Sequence, residues 1–388
     1  MSISRFSFPT DIHFGPGARK LVAAHLSAQG VKRPLIVTDR GIAPLPMLAA
    51  FVADLHGLDA AVYSEVWGNP VKSQVDNGVR AYKAHRADGV IGLGGGAALD
   101  VAKAVALMAT HPGEILEYAW DDTHVRPIDR DLPYFVALPT TAGTGSEVGR
   151  SSVISDDATH IKKIIFSPKL LARAVFADPE LTLDLPPHIT AATGMDALTH
   201  NVESYLSPAY HPLCDGIALE GVRLAAKSLR TAVREPHNLR ARSDMMMSSM
   251  MGAIAFQKDL GAVHSCAHAL STVADLHHGL ANGIMIDHVM RFNLPSAVDK
   301  MAELAHVAGA AVAGALPEAS AEAFIDWLAA LKAELAIPPT LSAYASKRPV
   351  TRADIAALVD VAIKDTCHQT NPRPCTREDF ERIFASAL

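Results

Sequence analysis

An α/β first half followed by an all-α second half is the fold class that this sequence predicts, on three observations. Short β-branched runs alternate with helix-like stretches up to residue 184; strand-like runs nearly vanish beyond it; and Ala, Leu and Met at helical spacing dominate the remainder. The runs are PLIVTD (34–39), AAVYSEV (60–66), GVIGLGG (89–95), YFVALPTT (134–141) and AVFADPEL (174–181). Their alternation with helical segments predicts a mostly parallel sheet with crossover helices. AEAFIDWLAALKAELA (321–336) typifies the second half. Asp178-Pro179 and Pro186-Pro187 punctuate the change, so the expected domains are 1–184 and 185–388.

A chain of 388 residues that is 49% apolar exceeds the usual single compact domain and can bury a large core. Its formal charge of -6 is interspersed rather than blocked, which argues against a nucleic-acid partner. Cys214, Cys266, Cys367 and Cys375 lie far apart without a CxxC pair, as expected of a reducing, cytoplasmic setting. The opening MSISRFSFPTDIHFG lacks the pattern of a secretory signal, and no run is apolar enough to span a bilayer, so a soluble protein is expected.

In VIGLGGGAALDVAKA (90–104) a strand runs into Gly94, Gly95 and Gly96 and then into a helix. Such a turn lets the backbone approach a pyrophosphate, and the helix start offers unpaired N–H groups. Tight packing explains such glycines equally well, and GxGxxG itself is absent. Asp39 closes the first strong strand, where a carboxylate can accept from ribose hydroxyls and repel a 2′-phosphate, favouring NAD over NADP; it can also cap the turn after Arg40-Gly41. LPTTAGTGSEVGR (138–150) sets the hydroxyls of Thr140, Thr141, Thr144 and Ser146 around two glycines, which suits a dinucleotide loop or a plain turn-rich one.

In TGMDALTHNVESYL (193–206), Asp196 and His200 are four apart and share a helix face. In GAVHSCAHALSTVADLHHGLANG (261–283), His264 and His268 are again four apart, and a further imidazole follows at His277 or His278 beside Gly279. One Asp with three imidazoles suits Fe(II), Zn(II) or Mn(II), with an open position for a Lewis-acid role.

Taken together, these segments resemble the iron-containing (group III) alcohol dehydrogenase family over essentially the whole chain. The likeness rests on VTD (37–39), Asn69-Pro70, GGGAALDVAKA (94–104), PTTAGTGSE (139–147), ATGMDALTH (192–200) and the HxxxH…HG pattern of 264–279. It implies a dehydroquinate-synthase-like fold, with a dinucleotide-binding domain, a helical metal-binding domain and an active site in the cleft between them. Carried over residue by residue, it implies a divalent metal, Fe(II) first, on Asp196, His200, His264 and His278. It implies NAD on Asp39, Asn69, Gly95, Gly96, Ala97, Thr140, Thr141, Thr144, Val153 and Lys162, and a proton-relay or orienting role for His268. The family's usual Ser-Pro after the glycines is Ala97-Ala98 here, and its usual Pro before the last ligand is His277; spacing and Gly279 select His278. A homodimer or higher oligomer is the implied assembly.

Within the family, the AFQKDLG run, HHG and TCHQTNPR are most similar to the 4-hydroxybutyrate dehydrogenase subgroup. With Lys258 and Arg150 as cations for a substrate carboxylate, the expected reaction is hydride exchange between NAD(H) and 4-hydroxybutyrate or succinic semialdehyde. The alternatives are a neutral short-chain alcohol or diol, a lyase on the same fold, which needs a denser basic pocket, and a non-catalytic relative.

Overall fold

The computed structural model describes residues 8, 10–120, 124–159, 161–344 and 348–388. The first half is an α/β sheet layer. Strands β1 (Asp11–Phe14), β2 (Pro34–Asp39), β3 (Ala61–Val66), β4 (Gly89–Gly94), β5 (Tyr134–Pro139) and β8 (Ala174–Ala177) form one parallel sheet in the order β1-β8-β5-β4-β2-β3. Between β5 and β8 runs an antiparallel hairpin, β6 (Ser151–Ser155) with β7 (Lys162–Phe166). The crossovers carry α1 (Val22–Ala28), α2 (Pro46–Asp54), α3 (Lys72–His85) and α4 (Gly96–Thr110). Every residue of β4 is buried, as are all but the last of β2, which is why these strands read as continuous apolar runs.

The second half is helical, as expected: α5 (Pro187–Leu206), α6 (Pro212–Arg234), α7 (Leu239–Ala255), α8 (Ala262–Ala274), α9 (His278–Asn293), α10 (Val298–Ala308), α11 (Pro317–Glu334), α12 (Ile355–Ala362) and α13 (Arg377–Ser386). Both proline signals have a local cause. Pro187 opens α5 at its first turn, where a missing N–H costs nothing. Asp178 ends β8, accepts from the Glu180 amide, and is buried against Arg19, whose Nη1 donates to it at 2.7 Å.

Contacts divide the described chain into two compact units. One holds Phe8–Thr141 and Gly145–Leu183; the other holds Asp184–Leu388 and also Ala142–Thr144, a piece of the loop expected in the first domain. Those residues go with the helices because Gly143 packs on Thr193 of α5 and its carbonyl accepts from His200. Two sheet elements escaped the sequence reading. β1 is a short, partly exposed edge strand, and the β6–β7 hairpin mixes serines and lysines with its apolar residues.

The sheet order reverses between β2 and β4, since the chain leaves β2 toward β3 and then returns to the other side of β2 through β4. Open parallel sheets bind ligands outside the strand carboxyl ends at such a point. Gly94 ends β4 there with φ +155°, and an added Cβ would meet the Ala98 Cβ at 2.6 Å. Gly94→Ala is therefore expected to destabilise the α/β unit by about 1–3 kcal/mol, read as a lowered urea-unfolding midpoint. An unchanged midpoint would mean that this backbone relaxes without cost.

Candidate metal centre and dinucleotide-binding strand ends

Three helices supply the cluster, each through residues four apart. α5 carries Asp196 and His200, α8 carries His264 and His268, and α9 carries His278 and Asn282. The Nε2 atoms of His200, His264 and His278 lie 3.9, 3.7 and 3.5 Å from one oxygen, Asp196 Oδ1. Asn282 Nδ2 donates to that same oxygen at 2.7 Å. His277 stands apart as the exposed N-cap of α9, accepting from the Leu280 amide.

The far side of two rings sets their tautomers. His200 Nδ1 faces the Gly143 carbonyl at 3.3 Å, and His264 Nδ1 faces the Glu203 carboxylate at 2.6 Å. Both partners only accept, so each Nδ1 carries a proton and Nε2 is the nitrogen that each ring turns inward, a lone pair whenever the ring is neutral. One carboxylate oxygen with inward imidazole lone pairs is a donor set that fits a divalent first-row metal.

Charge is concentrated here. Asp196 is buried, which opposes ionisation, yet His200, His278 and His264 hold it well below the usual carboxylate range. Burial pushes His200 down to about 4. Burial also opposes protonation of His264, but the hydrogen bonds to Asp196 and Glu203 raise it to about 9. A proton and a metal ion thus compete for this position.

Helix spacing extends to Glu203, seven residues past Asp196 on the same face of α5. It accepts from the Val263 amide at 2.7 Å and braces the start of α8 as well as the His264 ring. The sequence reading missed Glu203 and Asn282, although both continue helix faces already recognised. It also missed Asp365, which lies in a turn after α12 and has no periodic signal. Its Oδ2 accepts from His268 Nδ1 at 2.7 Å; its Oδ1 accepts from Ser265 Oγ and the Cys367 amide. Nε2 is thereby the His268 nitrogen not taken up by Asp365, and the ring stacks on that of His278, 5.2 Å between centroids. The side chains of His268 and His278 are 24% and 25% exposed, whereas His200 and His264 are buried, so the cluster opens on this side. Asp365, His268 and Cys367 form a second group of potential ligands, but the His–Asp hydrogen bond already accounts for its closeness.

Gly279 explains the dipeptide at the last imidazole. An added Cβ would sit 2.4 Å from the Ala192 carbonyl oxygen, so only glycine lets α9 approach α5 closely enough to bring His278 to Asp196.

In the α/β unit, Asp39, Gly95, Gly96, Ala97, Thr140 and Thr141 of the expected dinucleotide residues lie at or just beyond strand ends. Asp39 Oδ1 accepts from the Gly41 and Ile42 amides, as a turn cap does, while its Oδ2 faces Gly94. Gly95 and Gly96 start α4 without a side-chain cap, leaving the amides of Gly96 and Ala97 pointed outward from the helix start. Thr140 follows β5 and its amide donates to the Gly94 carbonyl; Thr141 abuts Gly95. Val153 and Lys162 stand on the β6–β7 hairpin, and the Val153 amide is bonded to Asp100. Asn69 is exposed just beyond β3, and Thr144 belongs to the helical unit. A buried cation holds this arrangement together: Lys103 of α4 donates to Ser146 Oγ and the Ser151 carbonyl, both at 2.8 Å.

One expectation needs correction. Lys258 is not an available substrate cation: its ammonium is buried and ion-paired with Asp215 of α6, with the Tyr205 carbonyl also in reach. A buried cation needs such a partner, and its charge is already neutralised. Arg150 lies between η-turn Ser146–Val148 and β6 in the α/β unit, partly buried.

Comparison with known proteins agrees with this architecture. Residues 9–179 match the family described as iron-containing alcohol dehydrogenase, and residues 190–388 match its C-terminal domain. A 4-hydroxybutyrate dehydrogenase of Cupriavidus necator is 37% identical over 98% of both chains. The crystal structure of a 1,3-propanediol oxidoreductase superposes with TM-score 0.94 at 34% identity, covering all of both chains. A sulfoacetaldehyde reductase of Bifidobacterium kashiwanohense, solved with NAD+, superposes at 0.88 with 27% identity over 100% and 99% of the chains.

Replacing Glu203 with Gln removes the carboxylate that fixes the His264 tautomer. Divalent-ion affinity, measured by chelator competition with Zn(II) or Mn(II), is expected to fall by about 10–100-fold. Unchanged affinity would show that His264 is oriented without it.

Proposed function

This chain belongs to the iron-containing alcohol dehydrogenase family, and from that premise we propose that it exchanges hydride between NAD(H) and a primary alcohol or its aldehyde, with one divalent ion on Asp196, His200, His264 and His278. The observation that carries the reading is the convergence of three imidazole Nε2 atoms on Asp196 Oδ1. Such an ion supplies Lewis acidity toward the substrate oxygen, and NAD(H) accepts or donates the hydride.

The residues do the rest. Asp196 contributes a single negative charge against three neutral rings, so the centre keeps net positive charge. Glu203 and the Gly143 carbonyl hold two rings in their metal-binding tautomer. His268, oriented by Asp365 through Nδ1, takes up or delivers the hydroxyl proton at Nε2 on the open side of the cluster. In the α/β unit, Asp39 meets the adenosine ribose and the amides of Gly96 and Ala97 meet the pyrophosphate, with Asn69, Gly95, Thr140, Thr141, Val153 and Lys162 completing that unit's share of the site.

For the substrate we favour 4-hydroxybutyrate and succinic semialdehyde, supported by the similarity to the Cupriavidus necator enzyme and by Arg150 as a carboxylate partner. A neutral diol is the second reading. The neutralisation of Lys258 by Asp215 favours it, as does the likeness to the propanediol oxidoreductase.

The test is to strip the metal, restore Fe(II), Zn(II) or Mn(II) anaerobically in separate samples, and follow NADH oxidation with succinic semialdehyde, butyraldehyde and lactaldehyde. Metal-dependent turnover preferring the semialdehyde is expected. Preference for a neutral aldehyde would transfer the assignment to the second reading, and no metal-dependent oxidation of NADH would refute the proposal. Replacing Arg150 with Met is expected to raise KM for the semialdehyde by about tenfold while leaving butyraldehyde nearly unchanged; equal losses would remove Arg150 from the substrate site.

A further inference from the structure

The first residue beyond β2 is a cation whose position bears on dinucleotide choice. Arg40 follows Asp39 at the reversal point of the sheet, and its amide donates to the Val66 carbonyl at the end of β3. Its side chain crosses the end of β3. The guanidinium carbon lies 3.7 Å over the centroid of the Trp67 ring, and both Nε and Nη2 donate to Glu65 Oε2, the Nε bond at 3.1 Å. Trp67 would otherwise present a large exposed aromatic face, and the guanidinium covers part of it.

An arginine at this place in a dinucleotide-binding sheet is the group that a 2′-phosphate recruits. Here it is engaged twice, by the carboxylate of Glu65 on β3 and by the aromatic face of Trp67 just beyond it. Turning it toward a phosphate requires breaking both contacts and bringing the phosphate near two carboxylates, Glu65 and Asp39. An exposed ion pair alone is a weak restraint; stacking on an indole adds a second, since guanidinium prefers that surface over Phe or Tyr.

We propose that Glu65 and Trp67 latch Arg40 away from the dinucleotide, so that selection against a 2′-phosphate is set by this trio together with Asp39. The inference rests on the dinucleotide reading of the α/β unit.

The test uses the full-length protein and needs no turnover: dissociation constants of NADH and NADPH are measured from nicotinamide fluorescence. Glu65→Gln is expected to improve NADPH binding relative to NADH by roughly three- to tenfold, and adding Arg40→Ala to that variant is expected to abolish the gain. A gain that survives Arg40→Ala would overturn the latch, because Glu65 would then act only by repulsion. So would an unchanged ratio in Glu65→Gln, and in that case normal NADH binding would leave the dinucleotide reading standing. A wild-type protein that binds neither dinucleotide would overturn both readings, and one that already prefers NADPH would overturn the selection proposed here.

Discussion

A single buried carboxylate organises the helical unit. Asp196 sits where an isolated anion would be costly, and the surrounding helices are arranged to compensate it. Three imidazoles and one amide converge on one oxygen from α5, α8 and α9. Each helix contributes through two side chains a turn apart, so the cluster needs three straight helices crossing closely rather than a long functional loop. Close crossing in turn demands small residues. Ala191, Ala192 and Gly194 of α5 and Ala262, Ala267 and Ala269 of α8 are buried small residues, and at Gly279 even a methyl group would strike the Ala192 carbonyl.

The α/β unit solves a different problem by the same economy of backbone. On the proposed function its dinucleotide-facing groups are mostly amides at the start of α4 and at the ends of parallel strands, which require a rigid framework more than particular side chains. Lys103 supplies part of that framework. Burial disfavours its charge, and Asp100 and Glu147 offset this, so that the ammonium can tie α4 to the loop after β5 and to β6. Replacing the family's Ser-Pro with Ala97-Ala98 is compatible with this design, because the Gly96 and Ala97 amides are kept and Ala98 adds an N–H that proline lacks.

Much of this was legible because helical and parallel-strand periodicities are strong signals. The five strand runs and the change to helices follow from composition and periodicity, and spacing puts Asp196 with His200 and His264 with His268 on shared helix faces; the choice of His278 as the fourth member comes from the family resemblance. Glu203 continues the face of Asp196 and Asn282 that of His278, so both were readable in principle, but one needs the ligand to be known before its orienting partner has meaning. Asp365 was not readable. It lies 97 residues from His268 in an aperiodic turn, and only tertiary packing joins them. Lys258 failed for the complementary reason. A lysine near a ligand run looks available in sequence, whereas its buried partner Asp215 stands on a different helix, 43 residues away.

The two histidines of α8 show how one helix face can hold two chemistries. Both His264 and His268 donate Nδ1–H to a carboxylate, at 2.6 and 2.7 Å, so both are fixed in the same tautomer. What separates them is one turn of helix. His264 is buried and aims Nε2 at Asp196 among groups that share a negative centre; His268 lies farther along the face, partly exposed, with its ring stacked on that of His278. A buried nitrogen facing a carboxylate, with the Asn282 amide at 3.3 Å, favours a proton or a cation, while a partly exposed one can exchange with water. On the proposed function, ligand and proton carrier therefore differ by burial rather than by residue type, and Glu203 and Asp365 make each ring's free nitrogen the one its surroundings can use.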